Sequence, residues 1–279
     1  MMDFNSGDTA MLNFLHGLDN DLRKALLIQL RNLWTHTSTA IEGNTLTLGE
    51  TAFVLEEGLT ISGKPLKDHE EVVGHARAID IVYDLVQSEA IFTEKKLFSL
   101  HKAVQTKEIV DVYKPIGGWK REPNSTVAVV DDKQVVFEYG PPDDVPLQME
   151  SWFELYRKID QSLKPDDRQQ ALMAYVQLHV SFVRIHPFFD GNGRLARLIA
   201  NIPVLKSGLP PIIIPKQQRK QYIDALSAYH FSVGQIKAGD SLLPNFDALQ
   251  PFTLFCEHVW EGSLNLVEEI QQKQRARQQ

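Results

Sequence analysis

Among 279 residues there is one cysteine, Cys256. A single thiol excludes an intrachain disulfide and a cysteine-built zinc site, and it fits a reducing compartment. Its flank, 254–260, reads as the core side of a helix, so a plain buried thiol is expected. No clustered basic run accompanies the net charge of −7. That argues against a nucleic-acid partner, because phosphate neutralisation needs grouped Lys and Arg. No apolar stretch approaches bilayer length, and Ile212–Ile214 is hemmed by Pro210, Pro211 and Pro215. No membrane partner is expected. The first ten residues lack a basic start followed by an apolar stretch, so a cytoplasmic location is expected. Internal repeats are also missing. The sequon at Asn124 matters only in a secreted chain and is read as chance.

What is present suits a soluble helical body. Hydrophobic residues make up 43% of the chain, enough for a normal core. Apolar residues recur at helical spacing over 12–34 and 68–86. Thr47 with Glu50 predicts a capping box opening a helix toward Glu57. Thr93 predicts an N-cap, and Pro146 marks a helix start reaching Ile159. Asp166 or Asp167 caps a long helix through Leu172, Val176 and Phe182. Further helices are expected near 217–236 and 251–272, with a fraying polar tail over 271–279. One segment differs: 126–130 and 134–137 are β-prone around Asp131, Asp132 and Lys133, which predicts a hairpin. The expected fold is therefore all-α with a small β-hairpin flap. Three regions are expected: an N-terminal helical region over 1–110, a catalytic core over 111–255, and a C-terminal helix and tail over 256–279.

The informative stretch is His186-Pro187-Phe188-Phe189-Asp190-Gly191-Asn192-Gly193-Arg194-Leu195-Ala196-Arg197. Pro187 disfavours helical geometry at the residue before it, so the long helix should stop and present His186 at its end. Gly191 and Gly193 permit positive φ and close backbone approach. Arg194 opens a second apolar-periodic run through Leu198, Ile199 and Ile202. The glycine loop then sits on a helix N-terminus, where free amides and the dipole favour an anion. Arg194 and Arg197, three apart, share a helix face and offer forks to phosphate oxygens. Asp190 is a hard oxygen ligand placed for Mg²⁺. His186, a side chain whose unperturbed pKa lies near neutrality, suits proton removal from a hydroxyl.

This stretch resembles the signature of the Fic family, His-Pro-Phe-x-x-Gly-Asn-Gly-Arg-x-x-Arg, at every fixed position. The resemblance implies a helical Fic fold and transfer of AMP from ATP to a Ser, Thr or Tyr hydroxyl of a target protein or of the chain itself. It implies His186 as the base and Asp190 as the Mg²⁺ ligand. The amides of Gly191, Asn192 and Gly193 would hold the α- and β-phosphates. Arg194 would contact the β-phosphate and Arg197 the γ-phosphate. Ser38-Thr39-Ala40-Ile41-Glu42-Gly43-Asn44 resembles the family's inhibitory motif, with Ser38 and Glu42 at its key positions. Gly43 and Asn44 can stop a helix just after Glu42, whose carboxylate would then reach Arg197 and take it from the γ-phosphate. In some relatives the same glutamate supports AMP removal. Weaker likenesses cover 63–69, 75–78 and a flap over 117–137 that would align a target strand. Tyr222 and His230 would line an adenine pocket. The likeness spans most of 34–255, and related proteins often form homodimers.

Gly58–Lys64 mimics a Walker A loop, but Pro65 stands where Ser or Thr should bind Mg²⁺. His69 and His75 lack a zinc-motif context. Other readings are removal of AMP, transfer of the γ-phosphate, a nucleotide-sensing module with little turnover, and a winged-helix regulator lacking its basic recognition helix.

Overall fold

Ten α-helices, four short 3₁₀ turns and one two-stranded hairpin make up the regular structure of the described residues. The computed structural model describes residues 12–88, 90–105, 111–130 and 133–279. In chain order the helices are α1 (Asn20–Ile41), α2 (Leu48–Glu57), α3 (Leu66–Gln87) and α4 (Glu94–Val104). The hairpin strands β1 (Ser125–Val130) and β2 (Lys133–Glu138) follow. Then come α5 (Val145–Ser162), α6 (Arg168–Ile185), α7 (Asn192–Ile199), α8 (Asn201–Lys206), α9 (Arg219–Val233) and α10 (Gln250–Arg277). The helical reading with a lone hairpin is borne out.

The caps follow from side-chain chemistry. Thr47 Oγ1 accepts from Glu50 N while Glu50 accepts from Thr47 N, the reciprocal capping box, and α2 ends on Gly58 at φ 68°. Thr93 caps α4 and Asp167 caps α6. The strands pair antiparallel, with Thr126 opposite Phe137 and Val127 opposite Val136. The turn residues Asp131 and Asp132 lie outside the described residues.

Helix α6 is the axis of the fold. Nearly every residue from Ala171 to Ile185 is buried, so the helix is enclosed on nearly all sides rather than along one stripe. It packs on α5, α7, α8 and α10. One hydrophobic cluster runs from Leu12 through Trp34, Val82, Trp152, Phe182 and Ile202 to Ile270. Helix α1 packs on α3, α2, α10 and α7, which brings its C-terminal end beside α7.

Two expectations are corrected. The apolar run from Arg194 to Ile202 is not one helix but two, broken at Ala200. Pro203 has no N–H to donate back to Ile199, so the ladder cannot continue. The polar tail does not fray: α10 continues to Arg277. Gln274 is buried and its Oε1 accepts from Asp19 N at 2.8 Å, while Arg277 donates to Asp21. The tail thereby satisfies amide and charge at the start of α1.

Candidate active site

Helix α6 ends where Pro187 requires it, and His186 adopts φ 52°, a left-handed conformation unusual for a non-glycine residue. Its Nδ1 lies 3.2 Å from Val183 O. A carbonyl only accepts, so in the neutral ring Nδ1 carries the proton and Nε2 keeps a lone pair. Desolvation draws the imidazole down to about 3, helped by the nearby Lys120 charge, so it is neutral at pH 7. The Tyr139 ring stacks on it, centroids 3.7 Å apart.

The glycine loop follows. Gly191 takes φ 82° and caps α7. The Asn192 side chain turns inward: Nδ2 donates to Phe188 O at 2.7 Å and Oδ1 accepts from Phe188 N at 2.9 Å. It locks the loop against Phe188. Asp190 Oδ1 accepts from Gly191 N at 2.7 Å, and Oδ2 lies 3.7 Å from Arg194 Nη2. Burial works to raise the Asp190 carboxyl, but Arg194 and the Gly191 amide outweigh it and leave it below its ordinary value. Arg194 is buried and donates to Val104 O on α4.

Arg197 is held on three sides. Nε donates to Ser38 Oγ at 3.0 Å, Nη2 to Ser38 O at 2.9 Å and to Glu42 Oε1 at 2.7 Å, and Nη1 to Tyr222 Oη at 3.3 Å. Burial opposes its charge, yet Glu42 and Tyr222 outweigh that and the guanidinium holds its proton more tightly. Glu42 lies at the C-terminal end of α1, where Gly43 at φ 103° turns the chain away. A Cβ on Gly193 would stand 2.6 Å from Glu42 Oε1. The carboxylate therefore sits against the first turn of α7.

These groups line one cleft of about 310 Å³. Glu42, His186, Asp190, Gly191, Asn192, Gly193, Arg194, Arg197, Tyr222 and His230 all face it. Ser38 stands behind, buried against Arg197. Tyr222 and His230 both line the cleft and make further contacts. The Tyr222 hydroxyl joins Arg197 to His179 Nε2 at 3.1 Å, and His230 stacks on Phe137 of the hairpin.

Sequence reasoning missed several members. His101 on α4 accepts from Gly117 N at Nδ1, so its Nε2 carries the proton and donates to Asp190 O at 3.2 Å. It ties the start of the flap region to the anion loop. Lys67 and Glu71 of α3 form another wall of the cleft, and Glu71 accepts from Asn44 of the motif after α1. Only a three-dimensional neighbour reveals these roles. Among the described residues no group of three or more His, Cys, Asp or Glu could hold a metal by itself. None of their helices is long and apolar enough to cross a membrane.

Residues 91–203 match the model of the Fic/DOC family. Over 257 residues the chain is 32% identical to the protein adenylyltransferase Fic of Drosophila mojavensis, covering 91% of this chain and 44% of the relative. The chain belongs to the Fic/DOC family. The fic-1 adenylyltransferase of Caenorhabditis briggsae is 29% identical over 229 residues, 78% of this chain and 42% of that one. The chain thus spans less than half the length of these curated Fic relatives. A Fic domain containing signaling protein of Bacteroides thetaiotaomicron superposes with TM-score 0.79 at 26% identity, covering 92% of each chain. Fic-1 from C. elegans superposes with TM-score 0.65 at 26% identity, over 95% of this chain and 73% of that one.

Proposed function

We propose that this cleft binds ATP and transfers its AMP to a hydroxyl of a protein, and that Glu42 holds the site back. One observation carries the reading: a neutral imidazole with an open Nε2, a glycine-built helix start and two buried arginines face one cleft. The neutral ring at His186 takes the proton of a Ser, Thr or Tyr hydroxyl as its oxygen bonds to the α-phosphorus. The bond from the α-phosphorus to the bridging oxygen breaks, and pyrophosphate leaves. The Asn192 and Gly193 amides and Arg194 hold the phosphates, joined by the Gly191 amide once Asp190 turns from it, with the positive end of α7 behind them. Arg197 is the partner for the γ-phosphate, and Tyr222 and His230 flank the base. A target segment adding to the hairpin edge would present its hydroxyl there.

Mg²⁺ fits this donor set. Asp190 is one largely exposed carboxylate at the loop, and such an ion usually takes one or two carboxylates, with phosphate oxygens and water filling the rest. Bound there, the ion would neutralise charge on the phosphates.

The Glu42–Arg197 pair supports autoinhibition. A triphosphate reaching Arg197 must displace the carboxylate that lies against Gly193. Otherwise the phosphates bind short of that guanidinium and the α-phosphorus is not in line with the hydroxyl. The test uses α- and γ-labelled ATP with the Glu42→Gly variant. Covalent incorporation of the α-label alone supports AMP transfer; incorporation of the γ-label overturns it in favour of phosphate transfer. Cytoplasmic location and a homodimer remain part of the proposal.

A further inference from the structure

The hairpin is joined to the body at two roots, and both close on the segment carrying His186. Ahead of β1, Lys120 N donates to Pro187 O at 2.9 Å. Lys120 Nζ donates to Ile185 O at 3.3 Å and to Asn124 Oδ1 at 2.6 Å. Asn124 Nδ2 in turn donates to Phe188 O at 2.9 Å. Beyond β2, Gly140 N donates to Arg184 O at 3.3 Å, beside the Tyr139 ring on His186.

The carbonyls at a helix C-terminus have no donors within the helix. Here the flap roots supply donors to residues 184, 185, 187 and 188, on both sides of the left-handed His186. Lys120 is only 2% exposed, and among the described residues its amine is hydrogen-bonded to two amide oxygens and to no carboxylate, with burial drawing it down to about 7. Burying a cation without a counter-ion is unfavourable, and an apolar side chain of the same length would fill the space at less cost. A purely structural strut would not need the charge. The amine is where it is because it must hold carbonyl oxygens next to the imidazole.

We propose that Lys120 and Asn124 are positioning residues for His186, fixing the base in the cleft from the root of the flap. This rests on His186 being the base of the reaction proposed above. The phosphate-binding groups stand on α7 and its loop; Asn192 shares the Phe188 carbonyl with Asn124 but keeps both its bonds to Phe188 when the brace is removed, as His101 keeps its bond to Asp190. Loss of the brace therefore displaces the base and leaves the nucleotide seat intact.

The experiment measures AMP transfer and ATP affinity in the full chain carrying Glu42→Gly, with Lys120→Met or Asn124→Ala added. Asn124→Ala removes one arm of the brace without deleting the buried ammonium, so it decides the matter if Lys120→Met does not fold. The expected result is a fall in kcat of about 10- to 100-fold, the penalty of a base displaced by about an ångström. KM for ATP and the calorimetric Kd stay within about twofold of the parent. A kcat within twofold of the parent in the folded variants overturns the proposal, as does a KM rise that matches the loss of kcat. A Glu42→Gly parent that binds no nucleotide overturns the functional reading as well. A parent that transfers AMP, with variants equally fast, overturns this inference alone.

Discussion

Glu42 and Arg197 stand 155 residues apart and meet at 2.7 Å across the head of the phosphate loop. The carboxylate is part-exposed while the guanidinium is nearly sealed. Arg197 keeps Ser38 and Tyr222 when Glu42 is removed but loses its counter-ion. Glu42→Gly should raise AMP transfer by at least about fivefold, the lower end of a coupling of roughly 1–3 kcal/mol. Its melting temperature should fall, because the nearly sealed guanidinium loses its counter-ion. Label incorporation and a thermal melt check both halves; an unchanged rate removes the inhibitory role.

His186→Ala in the Glu42→Gly background should abolish transfer and leave ATP affinity within about twofold, because no phosphate contact is assigned to the ring. Calorimetry alongside the transfer assay separates this from a binding defect. A lost affinity would mean that the imidazole holds nucleotide instead of acting as base.

Asn192→Ala tests the loop lock. It deletes both side-chain bonds to Phe188 and leaves the Phe188 amide, buried, without that acceptor. The expected cost is roughly 1–3 kcal/mol, read as a fall in melting temperature of several degrees, with weakened ATP binding. Full ATP affinity in a destabilised variant would show that the loop needs no lock to bind.

Stability should fall on acidification between about pH 6.5 and 4. Burial depresses His101 to about 4 and His230 to about 3, and His75 and His179 lie well below the ordinary value for the same reason. The unfolded chain takes up these protons near pH 6.5, whereas the folded chain resists them. Stability is thus complete above that pH and is lost as pH falls through the folded values. His101 alone accounts for roughly 3 kcal/mol. Melting temperatures across this range check it; a flat profile would contradict buried neutral imidazoles.

Local rules made much of this legible in the sequence. Pro187 stops α6 at His186, Gly191 opens α7, and Thr47 with Glu50 starts α2, all within a few residues of chain. Ser38 and Glu42 stood out only through the resemblance to the inhibitory motif, since nothing local marks a surface glutamate as an arginine's partner. His101, Lys120 and His179 looked ordinary because their roles come from carbonyls and hydroxyls that folding brings near from distant segments. The tail misled by its polarity: Gln274 is buried because Asp19 needs an acceptor. Pro203 did carry the signal for the break between α7 and α8, but the apolar spacing masked it.

The most direct test is a calorimetric titration of the unaltered chain and its Glu42→Gly variant with ATP and Mg²⁺. Magnesium-dependent binding at one site is expected in the variant, at least about fivefold tighter than in the unaltered chain. No magnesium-dependent uptake of nucleotide in the variant would contradict it.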